Sequence, residues 1–381
     1  MNLYIDGLFY KGSGIGRYYE SLTKELAKRG IKIYTCVPNT LRNEFEKDFS
    51  NIPDIEPIFV DYEKFSLKGF FTQSKILKQL EEEVYLFFYP HINAPYYIPK
   101  NTIITIHDLR FLTQFWDRNE IKRKIFIFYL KRALKHSTKI IAVSNTVAKE
   151  LKQNFKGSDK KIEIIYEFID EKFNNQNQNY ERIINKPYLL FVGNRKKHKN
   201  LILLVKAFAI IKGKIRHYLV IAGDKEKERD EVDILVKNLN IQERFIQFIK
   251  PSDEVIISLY KFADLFVFPS LFEGFGLPPL EAVSLGCPVI LSDIPILREI
   301  FGEAGFYFNP YSEEDLAKAI LKVISNKEFK IGLLEKQKER LKMFDKNKII
   351  EQYISLFERI IKERSWKSFT LGNFVHLMKV A

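Results

Sequence analysis

Short apolar runs alternate along the chain with longer amphipathic segments whose apolar residues recur at helical spacing. An apolar run bounded by Gly, Pro, Asn or Asp predicts a buried strand, whereas the recurring pattern predicts a helix packed by one face. The strands predicted in this way are Asn2–Asp6, Ile31–Val37, Val84–Tyr89, Thr102–Ile106, Lys139–Val143, Lys161–Tyr166, Pro187–Val192, His217–Ala222, Phe245–Ile249 and Leu265–Phe268. Strands that alternate with helices predict parallel sheets in an α/β architecture.

The predicted helices carry start and stop signals as well as periodicity. Ser144 is the expected N-cap of a helix to about Phe155, and Asn200 that of the helix Leu201–Ile211. The helix Asn119–His136 is basic and amphipathic. We interpret its apolar stripe as a face packed on a sheet, in preference to a membrane-surface contact with the same pattern. Further helices are predicted at Glu313–Asn326, Glu328–Met343 and Asn347–Glu363.

A chain of 381 residues exceeds what one hydrophobic core usually serves, so two domains are expected. The Asn- and Gln-rich stretch Asn174–Asn179 is the clearest linker signal. We therefore predict an amino-terminal domain over 1–173, a linker over 174–186 and a carboxyl-terminal domain over 187–345. Residues 346–381 then form a last helix and a basic, aromatic tail, for which packing, disorder and a peripheral membrane contact all stay open.

The chain is basic, with 61 Lys and Arg against 48 Asp and Glu, a net charge of +13. This charge is compatible with phosphorylated partners or an anionic membrane surface, although we prefer a solvated basic surface to any specific basic site. Nucleic acid is the weakest candidate, because the cations are spread along the chain and no nucleic-acid-binding module is recognisable. Cys36 and Cys287 form neither a metal-binding spacing nor a disulfide framework, which suits a reducing compartment. With no signal-peptide pattern and no membrane-spanning apolar run, we expect a cytoplasmic protein.

The stretch Phe268–Ala282 combines the end of a buried strand, a glycine-rich turn and the start of a helix. Gly274 and Gly276 allow a ligand to approach the backbone closely, and the pair Pro278-Pro279 suits a first helical turn. Backbone amides at such a helix terminus attract anions. The stretch therefore predicts an anion-binding site.

Two carboxylates accompany this turn. Glu281 is predicted to lie in the first helical turn, where the helix dipole favours a carboxylate, so a charge at the helix terminus explains it. Glu273 is harder to explain structurally, because it stands at the carboxyl end of a strand, where open α/β sheets bind ligands. The whole string resembles the E-x7-E signature of family 4 glycosyltransferases, which are retaining enzymes of the GT-B fold. The resemblance implies two Rossmann-like parallel-sheet domains facing a cleft, with a C-terminal helix that crosses back to the amino-terminal domain.

The resemblance also implies roles for this stretch. Glu281 would hold the ribose hydroxyls of a nucleotide-sugar, and Glu273 the hydroxyls of the transferred sugar. The backbone that would approach the sugar and the diphosphate belongs to Gly274, Phe275, Gly276 and Leu277.

A second motif, Gly193-Asn194-Arg195-Lys196-Lys197-His198-Lys199, precedes a predicted helix. Cations at this position interact unfavourably with the helix dipole unless an anion lies among them. The alternative, a solvated charge run, explains part of the pattern. The resemblance implies that Gly193 faces the donor and that Lys199 neutralises the leaving diphosphate. Asn194 departs from the Arg of many members, and we assign that role to Arg195. Because Lys250-Pro251 replaces the family's glycine-containing turn, the nucleotide base stays unassigned.

His107 follows the apolar run Ile103–Ile106, at the rim where a site would open. The alternative is a structural histidine, as we assume for His91, His136, His217 and His376. The resemblance implies that His107 contacts the transferred sugar. The glycine-rich turn at Gly12–Tyr18 is a weak signal alone. By the same resemblance, Gly14 and Gly16 would let the amino-terminal domain approach the donor phosphate or the acceptor.

The implied activity is transfer of a hexose, such as mannose or glucose, from a nucleotide diphosphate sugar to a glycan or lipid-linked acceptor in cell-surface polysaccharide synthesis. His107, Glu273 and Lys199 would be its catalytic residues. Because the sequence holds no Asp-x-Asp motif, we expect no metal and no other cofactor. Two alternatives stay open: a nucleotide-sugar epimerase of the same architecture, and a non-catalytic sugar-binding relative.

Overall fold

The computed structural model describes residues 1–116, 119–174, 180–225 and 228–380, with the backbone alone at 13 and 364–380. Part of the predicted linker, 175–179, therefore lies outside the described residues. The chain forms two compact units. The first unit holds residues 1–109, 119–166 and 347–380, and the second holds the described residues between 110 and 116 and between 167 and 346.

The first unit is a parallel sheet with helices between its strands. Its strands are β1 (Asn2–Ile5), β2 (Lys32–Pro38), β3 (Ile55–Val60), β4 (Leu86–Tyr89), β5 (Thr102–Ile106), β6 (Lys139–Ala142) and β7 (Ile162–Ile164). Its helices are α1 (Ser13–Ala27), α2 (Arg42–Asp48), α3 (Leu67–Leu80), α4 (Glu120–His136) and α5 (Asn145–Asn154). The strands pair in the order β3-β2-β1-β4-β5-β6-β7.

The second unit repeats this plan. Its strands are β8 (Tyr188–Val192), β9 (Tyr218–Gly223), β10 (Phe245–Ile249), β11 (Leu265–Phe268), β12 (Val289–Ser292) and β13 (Tyr307–Phe308). Its helices are α6 (Leu201–Ile211), α7 (Glu231–Asn238), α8 (Asp253–Phe262), α9 (Leu277–Ser284), α10 (Pro295–Phe301), α11 (Glu313–Ser325) and α12 (Lys327–Leu341). The strand order is β10-β9-β8-β11-β12-β13, again parallel throughout.

The central strands explain why the sequence pattern predicts both sheets. Every residue of β4, β5, β8, β11 and β12 is buried. Helices cover both faces of a parallel sheet, so its strands are near-continuous apolar runs without polar alternation. The predicted α/β class with two Rossmann-like sheets is confirmed.

The last helix, α13 (Lys346–Val380), belongs to the first unit from residue 347 onward. Tyr353 on α13 is fully buried, and its hydroxyl shares a 2.7 Å hydrogen bond with the hydroxyl of Tyr18 on α1. The ring of Phe357 lies 5.8 Å from that of Phe88 on β4. The predicted return of the last helix to the amino-terminal half is confirmed, and the helix continues past its predicted end at Glu363.

The junction between the units lies between 166 and 167, before the linker predicted over 174–186. Phe173 gives the physical reason. Its fully buried ring lies 6.2 Å from the ring of Tyr260, and its carbonyl accepts a hydrogen bond from the Ser284 hydroxyl. The chain is therefore anchored in the second unit before the polar stretch begins.

Residues 110–116 also differ from the prediction, which placed them in the amino-terminal domain. They belong to the second unit, where the ring of Phe115 lies 6.1 Å from that of Phe272. This short segment is thus part of the first half of the sequence but packs in the second unit.

Candidate functional site

Each sheet has one point where the chain reverses its direction of winding. This point lies between β1 and β4 in the first unit and between β8 and β11 in the second. The loops after two such strands diverge and leave a crevice at their carboxyl ends, where open α/β sheets bind ligands. In the second unit these loops are 193–200 and 269–276. All predicted donor residues lie on these two loops or on α9, which follows the second.

The two loops of the second unit are tied to each other. The amide of Leu271 donates to the carbonyl of His198 over 2.7 Å. Lys199 Nζ lies 2.7 Å from Glu273 Oε1, and each side chain is 13% exposed. The Lys199 ammonium also lies 5.6 Å from the ring centre of Phe268. The crevice therefore holds a partly buried cation and carboxylate side by side.

Helix α9 begins without a side-chain cap, because its N-cap is Gly276. The φ of Gly276 is 97°, in the left-handed region that favours glycine. Pro278 and Pro279 carry no N–H, so Leu277 alone has an amide hydrogen among residues 277–279. The first turn thus offers fewer anion-binding donors than the glycine-rich motif predicts.

The loop before α9 is fixed by one aromatic side chain. Phe275 is buried, and its ring lies 5.7 Å from that of Phe344 in an edge arrangement. Gly274 precedes it in the same loop. The side chain of Phe275 therefore anchors the loop, and any donor contact at this position falls to the backbone.

Glu281 lies beyond the first turn of α9, which begins at Leu277 and holds no acidic residue. The interpretation of this carboxylate as a charge at the helix terminus is therefore wrong. The residue is 5% exposed, and the hydroxyl of Tyr260 donates to its Oε2 over 3.2 Å. Within the second unit, this buried carboxylate is therefore held by a hydrogen bond from α8.

Arg195 is held by carboxylates within the second unit. Its side chain is 4% exposed, and Nη1 lies 3.1 Å from Asp230 and 2.9 Å from Asp233. Its Nη2 donates to Gln247 over 2.6 Å. Burial acts to raise the pKa of Asp233, but hydrogen bonds from Lys225 and Arg195 outweigh it and lower the pKa to about 2. The guanidinium thus joins the β8 loop to α7 and β10, and the assignment of Arg195 to the donor stays a prediction.

Gly193 and Asn194 form the turn that leaves β8. The amide of Gly193 donates to the carbonyl of Ala222 over 2.9 Å, and Asn194 Oδ1 accepts from the amide of Lys196 over 3.3 Å. Asn200 precedes α6 as predicted, but its side chain makes no capping hydrogen bond and donates to a carbonyl instead. The predicted cap position is correct, whereas its mechanism is not.

Sequence reasoning missed Arg110 and His198 at this site. Arg110 Nη1 donates to His198 Nδ1 over 3.3 Å. Burial lowers the pKa of His198 to about 2, assisted by the cations Lys199, Arg110 and Lys196. The imidazole is therefore neutral at physiological pH and carries its proton on Nε2. No local pattern signals this pair, because Arg110 joins the second unit from a distant part of the sequence.

In the first unit, His107 follows β5 as predicted. Its Nε2 lies 3.0 Å from the carbonyl of Pro90, which can only accept, so Nε2 carries the proton. The ring of Tyr18 meets the imidazole edge-on at 4.7 Å. The Tyr18 hydroxyl is held in turn by Thr105 and Tyr353. The orientation of His107 is therefore set by both α1 and α13.

Gly14 and Gly16 lie in the first turn of α1, whose N-cap is Gly12. The amide of Gly16 donates to the Gly12 carbonyl over 3.0 Å, so the helix already uses it. A Cβ at Gly16 would overlap the carbonyl oxygen of Phe9, whereas a Cβ at Gly14 would meet nothing within 4 Å. Packing therefore requires Gly16, while Gly14 leaves open space at the helix terminus.

His91, interpreted from the sequence as structural, is part of a buried network at the first unit's crevice. Its Nδ1 accepts from the amide of Asn93 over 3.2 Å, so its Nε2 donates to Asp6 Oδ1, 2.8 Å away. Asp6 also accepts from the Tyr4 hydroxyl and the Leu8 amide, over 2.9 and 3.1 Å. The network fixes the start of the segment that leads to α1.

Neither a metal-binding cluster nor a membrane-spanning helix is found among the described residues. In that part of the chain, no group of three or more His, Cys, Asp or Glu side chains is placed to hold a metal ion. Likewise, none of the helices described is both long and apolar enough to cross a membrane.

Two family models match the chain. The model described as "Glycosyl transferases group 1" matches residues 170–348, and the model described as "Glycosyltransferase Family 4" matches residues 12–173.

Curated relatives match over part of the chain. The chain is 28% identical to the O-antigen chain mannosyltransferase RfbU of Salmonella typhimurium over 221 residues. These residues cover 58% of this chain and 60% of the relative. It is 27% identical over 271 residues to the N-acetylgalactosamine-N,N'-diacetylbacillosaminyl-diphospho-undecaprenol 4-alpha-N-acetylgalactosaminyltransferase of Campylobacter jejuni, 68% of this chain and 72% of the relative. The match thus spans about 60% of the length of the first relative.

Solved structures share the fold. Sucrose-phosphate synthase from Thermosynechococcus elongatus superimposes with a TM-score of 0.75 at 18% identity, over 95% of this chain and 100% of that chain. The Anabaena protein Alr3699/HepE, in complex with UDP and glucose, gives 0.73 at 16% identity, over 94% and 100%. At these identities the likeness concerns the fold alone, and it agrees with the predicted two-domain architecture.

Proposed function

Because the chain belongs to the group 1 glycosyltransferases, we propose that it moves a hexosyl residue from a nucleoside diphosphate sugar to a glycan or lipid-linked acceptor, with retention of anomeric configuration. The observation that carries the proposal is the Lys199–Glu273 ion pair in the crevice between β8 and β11. Two relatives, named as a mannosyltransferase and an N-acetylgalactosaminyltransferase, support a role in cell-surface glycan synthesis. The family identity favours transfer over the epimerase and over a non-catalytic relative.

In this mechanism Lys199 neutralises the charge that develops on the departing diphosphate. A cation fixed in a partly buried site stabilises such charge without reorganising during the reaction. Glu273 gives up its contact with Lys199 when phosphate arrives and accepts hydrogen bonds from the sugar hydroxyls. Glu281 accepts hydrogen bonds from the ribose hydroxyls. Gly193, Asn194 and the loop backbone from 274 to 277 complete the donor pocket.

The bond between the anomeric carbon and the diphosphate oxygen breaks as the acceptor hydroxyl oxygen bonds to the same face of the sugar. The departing phosphate oxygen takes the acceptor proton, so neither Glu273 nor Glu281 acts as general base. His107 is proposed to contact the transferred sugar, and Gly14 leaves space for the acceptor or a donor phosphate. The site is proposed to work without a divalent cation, so transfer should persist in excess EDTA.

The reaction is proposed to take place in the cytoplasm. Both cysteines, Cys36 and Cys287, are buried free thiols, as a reducing compartment favours. The proposed partners are the nucleotide-sugar and the acceptor glycan, without nucleic acid.

Thermal unfolding with GDP, UDP, ADP and dTDP tests the donor site. One nucleotide should raise the unfolding midpoint of the wild type, since a ligand at about 100 times its dissociation constant adds about 2.7 kcal/mol to the native state. Glu281→Ala should abolish the shift, whereas Glu328→Ala, on an exposed face of α12, should keep it. If no nucleotide at millimolar concentration stabilises the wild type, the proposed donor site is wrong.

A further inference from the structure

Large apolar side chains lie exposed in one region of the first unit. Six of them, each between 39% and 79% exposed, are Leu67, Phe71, Tyr96, Ile121, Ile125 and Phe128. The first two lie on α3, the last three on α4, and Tyr96 lies in the turn between β4 and β5. Together they are named the α3–α4 surface.

Ring contacts join these segments into one surface. The ring of Phe70 lies 5.3 Å from that of Phe71, 5.8 Å from that of Tyr96 and 6.3 Å from that of Phe128. The guanidinium of Arg132 lies 5.1 Å from the Phe70 ring centre and donates to the Tyr96 carbonyl over 2.7 Å. The two helices and the turn therefore present a continuous aromatic face that includes a cation.

Packing on the sheet explains only the carboxyl-terminal half of the apolar stripe of α4. The buried residues of that helix are Tyr129, Leu130, Ala133 and Leu134. Ile121, Ile125 and Phe128 recur at the same helical spacing but stay exposed. The preference for packing over a membrane-surface contact, drawn from the sequence, therefore holds for only part of this helix.

Charge on the two helices α3 and α4 is nearly all positive. The basic residues of α3 and α4 are Lys68, Lys75, Lys78, Lys122, Arg123, Lys124, Lys131, Arg132 and Lys135. Glu120 is the only acidic residue within the two helices. Exposed aromatic and aliphatic side chains surrounded by Lys and Arg match the chemistry of an anionic lipid surface, where rings enter the headgroup region and cations meet lipid phosphates.

In the described part of the second unit, exposed large aliphatic side chains occur singly on their elements. Its exposed large aliphatic residues include Ile210, Ile234, Ile249 and Ile331, and each lies on a different element. Single exposed apolar side chains are normal on a soluble surface, whereas a contiguous patch marks an interaction site.

We propose that the α3–α4 surface docks this protein onto an anionic lipid bilayer. The surface is continuous with the crevice of the first unit, because Phe65 lies 6.0 Å from Phe9, which precedes α1, and 4.7 Å from Phe126 on α4. One consequence rests on the proposed function: an acceptor anchored in the same bilayer would reach the first unit along this row of rings.

Co-sedimentation of the full chain with vesicles tests the docking. The wild type should bind vesicles of phosphatidylcholine containing phosphatidylglycerol, and should bind pure phosphatidylcholine vesicles at least about ten-fold more weakly, because each Lys or Arg near an anionic surface adds to the attraction. Raising the salt concentration should weaken the binding further. A wild type that binds neither kind of vesicle overturns the proposal.

Variants locate the binding surface. Phe71→Ser with Ile121→Ser should reduce binding to the anionic vesicles by about ten-fold or more, because two apolar side chains no longer enter the headgroup region. Lys122→Gln with Lys124→Gln should also reduce it, and only on anionic vesicles. The matched controls are Ile210→Ser with Ile331→Ser and Lys336→Gln with Lys338→Gln, on exposed positions of the second unit. Unchanged thermal unfolding shows that each variant is folded.

Three results overturn the assignment to this surface. Wild-type binding by both α3–α4 variants would place the contact elsewhere, with the 365–381 tail as the first candidate. Equal losses in the control variants would mean a diffuse charge effect. Concentration-dependent dimers that the α3–α4 variants disperse, without vesicle binding, would make a second copy the partner. Nucleotide-induced stabilisation of the same samples reports the donor site separately, so failure of the docking is distinguishable from failure of the proposed function.

Discussion

The crevices of the two units share one strand order and differ in how they are held. In the second unit, ion pairs fix the loops: Lys199 with Glu273, and Arg195 with Asp230 and Asp233. In the first unit, a buried hydrogen-bond network centred on Asp6 fixes the backbone. The same topology thus builds one crevice whose loops are held by ion pairs and another whose backbone is held by hydrogen bonds.

Lys199→Ala should cause the largest effect. Loss of the cation paired with Glu273 should lower turnover by about 100- to 1,000-fold, the usual cost of removing a preorganised group that stabilises developing charge. The measurement is release of nucleoside diphosphate from the donor whose nucleotide stabilises the wild type. Lys197→Ala, at an exposed position in the same loop, should retain activity. Turnover close to normal in Lys199→Ala would remove the proposed mechanism.

Arg195→Gln should act on stability and not on the donor. Removing a guanidinium that is 4% exposed leaves Asp230 without this cation and Asp233 with Lys225 alone, which should cost about 3 kcal/mol of unfolding free energy. Arg298→Gln is the matched control, because its pair with Asp293 is about half exposed and should contribute less than about 1 kcal/mol.

The measurement for this pair is denaturant unfolding of both variants, with and without the stabilising nucleotide. At temperatures where Arg195→Gln is folded, the nucleotide should still stabilise it. Loss of nucleotide binding without loss of stability would show that Arg195 binds the donor and is not a purely structural cation.

Much of the fold follows from the sequence, because buried parallel strands are apolar runs. The predicted bounds of the strands Thr102–Ile106 and Leu265–Phe268 agree with the structure, and Ser144 caps α5 by accepting from the Val147 amide. Strand β3 was missed. It contains Pro57, lies at the sheet edge and is largely half-exposed, so its pattern lacks the continuous apolar signal.

Site residues were predictable only where their chemistry follows from local order. The sequence places three site residues correctly on the crevice loops or the adjoining helix, because strand ends and helix starts can be read from the chain. These residues are Glu273, Glu281 and Lys199. The ion pairs of Arg195 were not predictable, because Asp230 and Asp233 are distant in sequence. Arg110 was missed for the same reason, since its tie to the second unit is a tertiary contact.

Asp6→Ala should destabilise the first unit and spare the donor site. The change leaves the His91 Nε2–H and the Leu8 amide buried without their acceptor, at a cost of about 2 kcal/mol. Asp61→Ala, at an exposed position of the same unit, should change stability little. The measurement is thermal unfolding with the stabilising nucleotide, whose effect should persist in both variants. Loss of that effect in Asp6→Ala would show that the two crevices are coupled.

The pH dependence of stability should reveal His198, whose effect is absent at neutral pH and grows as the pH falls. Its pKa falls from 6.5 in the unfolded chain to about 2 in the folded one, so between these values the unfolded state binds one more proton. Its contribution is therefore fully present above pH 6.5 and is lost as the pH falls below it, by up to about 1.4 kcal/mol per pH unit. His198→Asn should flatten the stability profile between pH 4 and 6.5 by this amount. Parallel profiles would mean that His198 is protonated in the folded protein. Arg110→Gln removes one of the cations that lower the pKa of His198. It should raise that pKa in the folded protein and leave the slope of stability between pH 4 and 6.5 unchanged.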